Sequence, residues 1–305
     1  MSQNRNSFEL VYDELEIKKT SFVNMHKQIK ETIKDLHKNN VLINQIFLFA
    51  HVNILCKTRA NVYLPCELSI GEYSIMTGIT KVFHAFIRPR DVPIGYAFLI
   101  QTIASKSHLI EMDTPPMNYP SSSNYADIAK KIKEMIKRED GSVLPIYALE
   151  ENVKEVENCL SDIFQWSGIE SPFKLKIKVF CLHLLFFELD NILKMEECLK
   201  FQRTSDANDK LSDFTYSHIR KLACRYHEKQ DRKIYCSAFQ VHKWAFTFSD
   251  HLCNLAGVKM IFGAHKPKDT RRNKKGQNYQ FPSFSSSNEP GETAITSCSY
   301  IWNPI

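Results

Sequence analysis

Between Val41 and Leu193 the hydrophobic period of the chain switches repeatedly between two and about 3.6. That alternation restricts the fold to a sheet covered by helices. VLINQIFLFA (41–50) reads as a buried strand. NVYLPCELSIGEYSI (61–75) and KVFHAFIRP (81–89) read as two more, joined by a turn at Thr77 and Gly78. Pro65 lacks an amide donor and predicts a broken ladder or a bulge just before Glu67. After a loop carrying PP (115–116) and SSS (121–123), NYADIAKKIKEMIKR (124–138) places Ile128, Ile132, Met135 and Ile136 on one helical face. VLPIYAL (143–149) is a strand. ENVKEVENCLSDIFQW (151–166) is a helix with Val153, Val156, Leu160 and Ile163 inward. KLKIKVFCL (174–182) is a strand and LLFFELDNIL (184–193) a helix. Strands interleaved with helices predict an α/β domain with a mixed sheet.

The flanks differ from this core. Residues 14–38 predict a helix, with Phe22, Met25, Ile29, Ile33 and Leu36 at steps of three and four and Asn39 and Asn40 ending it. A last helix spans 236–254, with Trp244, Phe248 and Leu252. From Gly263 on the chain is basic and then Ser-rich, without period, and 264–305 is expected to be disordered. The organisation expected is a helical segment or linker over 1–40, the α/β domain over 41–258 and a basic, Ser-rich tail over 259–305.

Only 9 glycines occur in 305 residues, with no G-x-G-x-x-G and no Walker A, so a glycine-rich phosphate loop is not expected. The N-terminus lacks a basic stretch followed by an apolar run. The most apolar stretches, 41–55 and 178–193, are too short for a membrane span. A soluble intracellular chain with reduced thiols is the expectation, and Cys56, Cys159, Cys181, Cys198 and Cys253 read as small core residues. Net charge is +6, unevenly spread. Lys266, Lys268, Arg271, Arg272, Lys274 and Lys275 stand against Asp269 alone, a cluster that suits a nucleic-acid contact, a nuclear-import signal or a solvated tail.

CRYHEKQDRKIYC (224–236) carries the chemistry. Cys224 and His227 are spaced to meet in one turn, and Cys236 follows nine residues after His227 at the start of the last helix. The segment is too polar to bury thiols by hydrophobicity, so three metal ligands are its functional reading. The fourth must come from afar, and Glu67, Cys66, His84 and His108 are the candidates.

LPCELSIGEYSIMTGITKVFHAFIRPRDVPIGYAF (64–98), SKSHLI (105–110) and CRYHEKQDRKIYC (224–236) together resemble the Maelstrom domain of animal germline proteins, over about Val41 to Val258. The family's ordered Glu, His, His, Cys, His, Cys set is met by Glu67, His84, His108, Cys224, His227 and Cys236. The resemblance implies an RNase H-like mixed sheet flanked by helices, related to 3′–5′ exonucleases. It also implies one structural Zn2+ held by Glu67, Cys224, His227 and Cys236, with His84 and His108 as supporting residues. It further implies action in piRNA silencing of transposons, with piRNA-pathway proteins and single-stranded RNA as partners, in the cytoplasm (perinuclear germ granules) and the nucleus. A weak single-strand-specific endoribonuclease activity is implied as well. A two-metal exonuclease is not, because its later carboxylates are replaced by Cys and His. No membrane contact is expected, and direct DNA binding is not expected, because only forty residues precede Val41, too few for a complete HMG box. Basic residues beside aromatics suit single-strand binding. Here these are Arg220, Lys221, Arg225, Lys229, Arg232 and Lys233 with Tyr226 and Tyr235, joined by the basic cluster from Lys266 to Lys275.

Overall fold

The computed structural model describes residues 3–169, 177–194 and 200–268, with side chains from Glu16 onward. Five strands form one sheet: β1 (Phe47–Lys57), β2 (Tyr63–Ser74), β3 (Gly78–Phe86), β4 (Ile146–Ala148) and β5 (Val179–Cys181), in the order β3-β2-β1-β4-β5. The pairs β1/β2 and β2/β3 are antiparallel, whereas β1/β4 and β4/β5 are parallel. This is the mixed sheet of an RNase H-like fold. Pro65 has the effect its chemistry predicts: the β1/β2 register shifts between Asn53 and Ile54 and again between Ile54 and Cys56.

The helices are α1 (Gln3–Lys38), α2 (Ala97–Lys106), α3 (Tyr125–Ile136), α4 (Val153–Ser167), α5 (Leu182–Leu193), α6 (Thr204–Ser212), the short α7 (Arg225–Lys229) and α8 (Ser237–Leu252). Asn124 begins α3 by accepting a hydrogen bond from the Asp127 amide at 3.1 Å. Almost every residue of β2 is buried, because helices cover both faces of the sheet. On one face Phe248 of α8 packs on Phe49 and Tyr73, and Phe186 of α5 stacks on Phe248 at 4.3 Å. Val156, Leu160 and Ile163 of α4 complete the core as their spacing predicts. Each fully buried aromatic here contributes about 1.5–3 kcal/mol. Gly71 permits the close approach of α8: a Cβ there would lie 2.4 Å from Cγ1 of Val241. Among the described residues no helix is long and apolar enough to cross a membrane.

Several expectations change. The strand expected over 41–50 begins only at Phe47 and runs on to Lys57, and Leu42–Asn44 form a 3-10 turn instead. Leu42 is buried there without a strand, so apolarity marked burial and not conformation. Helices α2 and α6 carry weaker periodicity and were not expected. The first compact unit extends to Lys268, past the Val258 boundary, since residues 261–265 fold onto the β2–β3 turn. The Ile79 amide donates to Ala264 O at 2.9 Å, and His265 is wholly buried. Residues 269–305 lie outside the described residues, as does Cys198. Cys56, Cys159, Cys181 and Cys253 are buried as expected.

Candidate metal centre

Glu67 stands near the start of β2, opposite Asn53 of β1 and Phe86 of β3, and is wholly buried. A buried carboxylate needs partners, and it has them from four elements. Asn53 Nδ2 donates to Oε2 at 2.6 Å, and the first amide of α8, Ser237 N, donates to the same oxygen at 3.1 Å. His84 of β3 donates from Nε2 to Oε1 at 2.6 Å. Facing Oε1 are Nδ1 of His227 at 3.4 Å, Sγ of Cys236 at 3.6 Å and Sγ of Cys224 at 3.9 Å. Cys224 Sγ and His227 Nδ1 are 3.2 Å apart.

The polar segment supplies its three groups through two helix starts. Cys224 occupies the N-cap position of α7 and Cys236 that of α8. His227 comes one turn after Cys224. The Asn53 amide also donates to Tyr235 O at 2.5 Å and fixes the segment to β1 just before Cys236. His227 Nε2–H donates to the carbonyl of His108 at 3.0 Å, which leaves Nδ1 directed at the cluster. His108 accepts the Ile110 amide on Nδ1 and donates from Nε2 to Ile54 O, so it holds the backbone under His227 and stays out of the cluster.

Strand alternation decides between Glu67 and Cys66. Adjacent residues face opposite sides of a sheet, and Cys66 points to Asn53 O and into a small apolar cluster with Leu55 and Cys56. Glu67, Cys224, His227 and Cys236 remain, with one ligand atom each and all four atoms within 4.8 Å of one another. Tetrahedral coordination at about 2.0–2.3 Å has edges of about 3.3–3.8 Å. The separations of 3.2, 3.4, 3.6 and 3.9 Å lie close to those edges, and no pair of the four atoms is more than 4.8 Å apart. The four residues can therefore hold a metal ion. Among the described residues no other such group of three or more occurs.

The electrostatics agree. Burial alone would raise the Glu67 carboxyl, but hydrogen bonds from His227 and His84 hold it well below the usual range. Burial alone would depress both histidines, but bonds to Cys224 and Glu67 raise His84 to about 9 and His227 to about 10. Cys224 is lowered, chiefly by its hydrogen bond from Cys236. Cys236 is raised, by burial and by the negative neighbours Cys224 and Glu67. The cluster concentrates negative charge that cations or protons must balance.

The six basic residues of this segment are less uniform than their sequence suggests. Arg220, Lys221, Arg225 and Lys229 are exposed. Arg232 and Lys233 are half-buried, and Lys233 Nζ donates to Ile219 O at 3.4 Å. Tyr226 and Tyr235 do not stand free for stacking. The Tyr226 hydroxyl donates to Leu109 O and its ring packs edge-on against Phe86, while Tyr235 is half-buried. Of the second basic cluster, Lys268 is exposed and Lys266 half-buried, and Arg271, Arg272, Lys274 and Lys275 lie outside the described residues. Asn53 and Ser237 were missed from the sequence. Asn53 carried one signal, a polar residue within an otherwise apolar strand.

A family model described as Maelstrom, piRNA pathway germ-plasm component, matches residues 56–272. The Protein maelstrom homolog of Culex quinquefasciatus is 27% identical over 249 residues, 80% of this chain and 47% of that protein. Protein maelstrom of Drosophila melanogaster is 27% identical over 265 residues, 83% of this chain and 55% of that protein. The chain spans about half the length of the curated relatives it matches. A zinc-bound E. coli exonuclease I complex with single-stranded DNA overlaps at a TM-score of 0.37 and 15% identity, over 69% of this chain and 42% of that one. A product-bound exonuclease I gives 0.38 and 14%, over 69% and 45%.

Proposed function

This chain belongs to the Maelstrom family, and from that premise we propose that it acts in piRNA-guided transposon silencing as a single-stranded RNA-binding module clasped by a structural zinc. The observation that supports the zinc is the convergence of one ligand atom each from Glu67, Cys224, His227 and Cys236, all within 4.8 Å of one another. Two thiolates and a carboxylate carry −3 against the +2 of the ion, and two sulfur ligands with an imidazole suit zinc among the common dications. When bound, zinc would supply a rigid cross-link and no reactive water, because four protein ligands fill its coordination.

The chain's own residues do the rest. His84 and Asn53 orient the Glu67 carboxylate, and the His108 carbonyl orients the His227 ring. The clasp holds a loop whose exposed Arg220, Lys221, Arg225 and Lys229 give phosphates a positive face. The family premise supports the pathway. Placement in perinuclear germ granules and the nucleus belongs to the same proposal, and imaging of a tagged chain in germ cells tests it.

Purified protein should contain about one zinc per chain by elemental analysis and bind single-stranded RNA in preference to duplex. The RNA should be recovered intact, with and without chelator. Cleavage that persists in chelator and follows one protein peak would replace the scaffold reading with an endoribonuclease. A chain that stays fully folded and binds RNA after its metal is stripped would overturn the clasp.

A further inference from the structure

Stacking of single-stranded bases requires exposed aromatic rings beside cations, and from Arg220 to Cys236 no ring is exposed. The segment after α8 offers one. Ile261 and Phe262 are 58% and 63% exposed, side by side, on a strap that crosses the β2–β3 turn. From Asn254 to Lys268 the chain contains Lys259, Lys266 and Lys268 and no Asp or Glu, a local charge of +3. Lys259 and Lys268 are exposed and Lys266 half-buried. Lys81 nearby is paired with Glu72 at 3.2 Å and adds nothing to this balance.

The strap is held from beneath. His265 is buried, accepts the Ile261 amide on Nδ1 at 3.1 Å and donates from Nε2 to Ile75 O at 3.1 Å. The Gly263 amide donates to Lys266 O, which closes a tight loop directly after the exposed pair. Gly78, at φ +69°, leaves room for this seat: a Cβ there would lie 2.4 Å from Ala264 O. A large aromatic side chain is thus presented to solvent on a pinned backbone, among cations, at no cost to the core.

We propose that the strap is a second single-stranded RNA contact, with Phe262 stacking on a base and Lys259, Lys266 and Lys268 meeting the flanking phosphates. It deepens the RNA-binding reading above and depends on it. An acidic polymer is favoured over a protein partner because Lys259, Lys266 and Lys268 all lie within six residues of Phe262, in a stretch (254–268) without Asp or Glu.

The test uses the full chain with its metal and a fluorescently labelled single-stranded oligouridine in an anisotropy titration. Phe262→Ala should weaken binding about 5-fold or more, and Phe262→Trp should restore it. Lys266→Glu with Lys268→Glu should weaken binding and flatten the plot of log affinity against log salt by about 1.4, the value for two lost phosphate contacts. If wild type binds and these variants bind equally well, the strap proposal is overturned while the RNA reading stands. If wild type binds no RNA, the functional reading fails first. If Phe262→Ala changes only the oligomeric state by light scattering, the strap is a protein-docking surface and the proposal is overturned.

Discussion

The two ends of β2 are closed by opposite means. Glu67 and Ser74 are seven residues apart, which is roughly 23 Å of strand at 3.3 Å per residue. At the Glu67 end a polar segment arrives from 157 residues away, and Cys224, His227 and Cys236 meet the buried carboxylate there. At the far end the strap arrives from a similar separation, and neutral hydrogen bonds, a buried His265 and the space above Gly78 hold it. The segment Cys224–Cys236 contains Arg225, Glu228, Lys229, Asp231, Arg232 and Lys233, too many charges to be held by burial. The strap carries few charges and offers backbone hydrogen-bonding groups, so ordinary packing suffices. A charged segment must be anchored through a few inward groups, and those groups must then be balanced in charge.

The largest effect should come from the ligand end. Cys224→Ala, His227→Ala or removal of metal should lower the melting temperature by on the order of 10 °C or more, followed by circular dichroism. A stripped protein melting within about 2 °C of the loaded one would erase the contrast between the ends. At the strap end, Gly78→Ala forces a left-handed backbone on an L-residue and a Cβ into Ala264 O. It should cost about 1–3 kcal/mol and speed amide exchange at Ile79 while zinc content stays unchanged.

His183 calibrates both ends, since it is buried away from either. Among the described residues its Nδ1 has no hydrogen-bond partner, and Nε2 lies 3.8 Å from Glu150. Burial, then the charge of His26, lowers its pKa from 6.5 to about 4. The unfolded chain therefore takes up the proton first. This contribution is whole above pH 6.5 and declines as pH falls to about 4, by on the order of 3 kcal/mol. His183→Leu should flatten that part of the acid stability curve, and an unchanged slope would assign the acid sensitivity elsewhere.

Two smaller effects sharpen the contrast. His84→Ala removes one donor from Glu67 and should weaken zinc about 10-fold in chelator competition, with a stability loss of about 1–2 kcal/mol. Phe262→Ala should leave stability unchanged within about 0.5 kcal/mol, because the ring is exposed. A larger loss would make Phe262 a packing residue.

Much of the fold was legible because its signals are local. The periodicity of α3 and α4, the Thr77–Gly78 turn and the Pro65 bulge each follow from residues within one element or one register position. The strand start at Phe47 was not, since Leu42 and Ile43 are apolar in a turn packed beneath α1 as they would be in a strand. The strap carries no such local signal, because its short irregular path has no period and its fit depends on the far side of a hairpin.

The sequence by itself determined the alternating α/β pattern and pointed to three residues of the candidate metal cluster and, through family resemblance, to the fourth. These are matters of residue type and spacing, which a linear chain displays. Only the tertiary structure decided that the Glu67 carboxylate faces the cysteines while Cys66 turns away, that Tyr226 is packed and Phe262 is free, and that His108 contributes a carbonyl and not its ring. Those outcomes depend on strand alternation, register and distant burial, which exist only once residues well over a hundred positions apart meet.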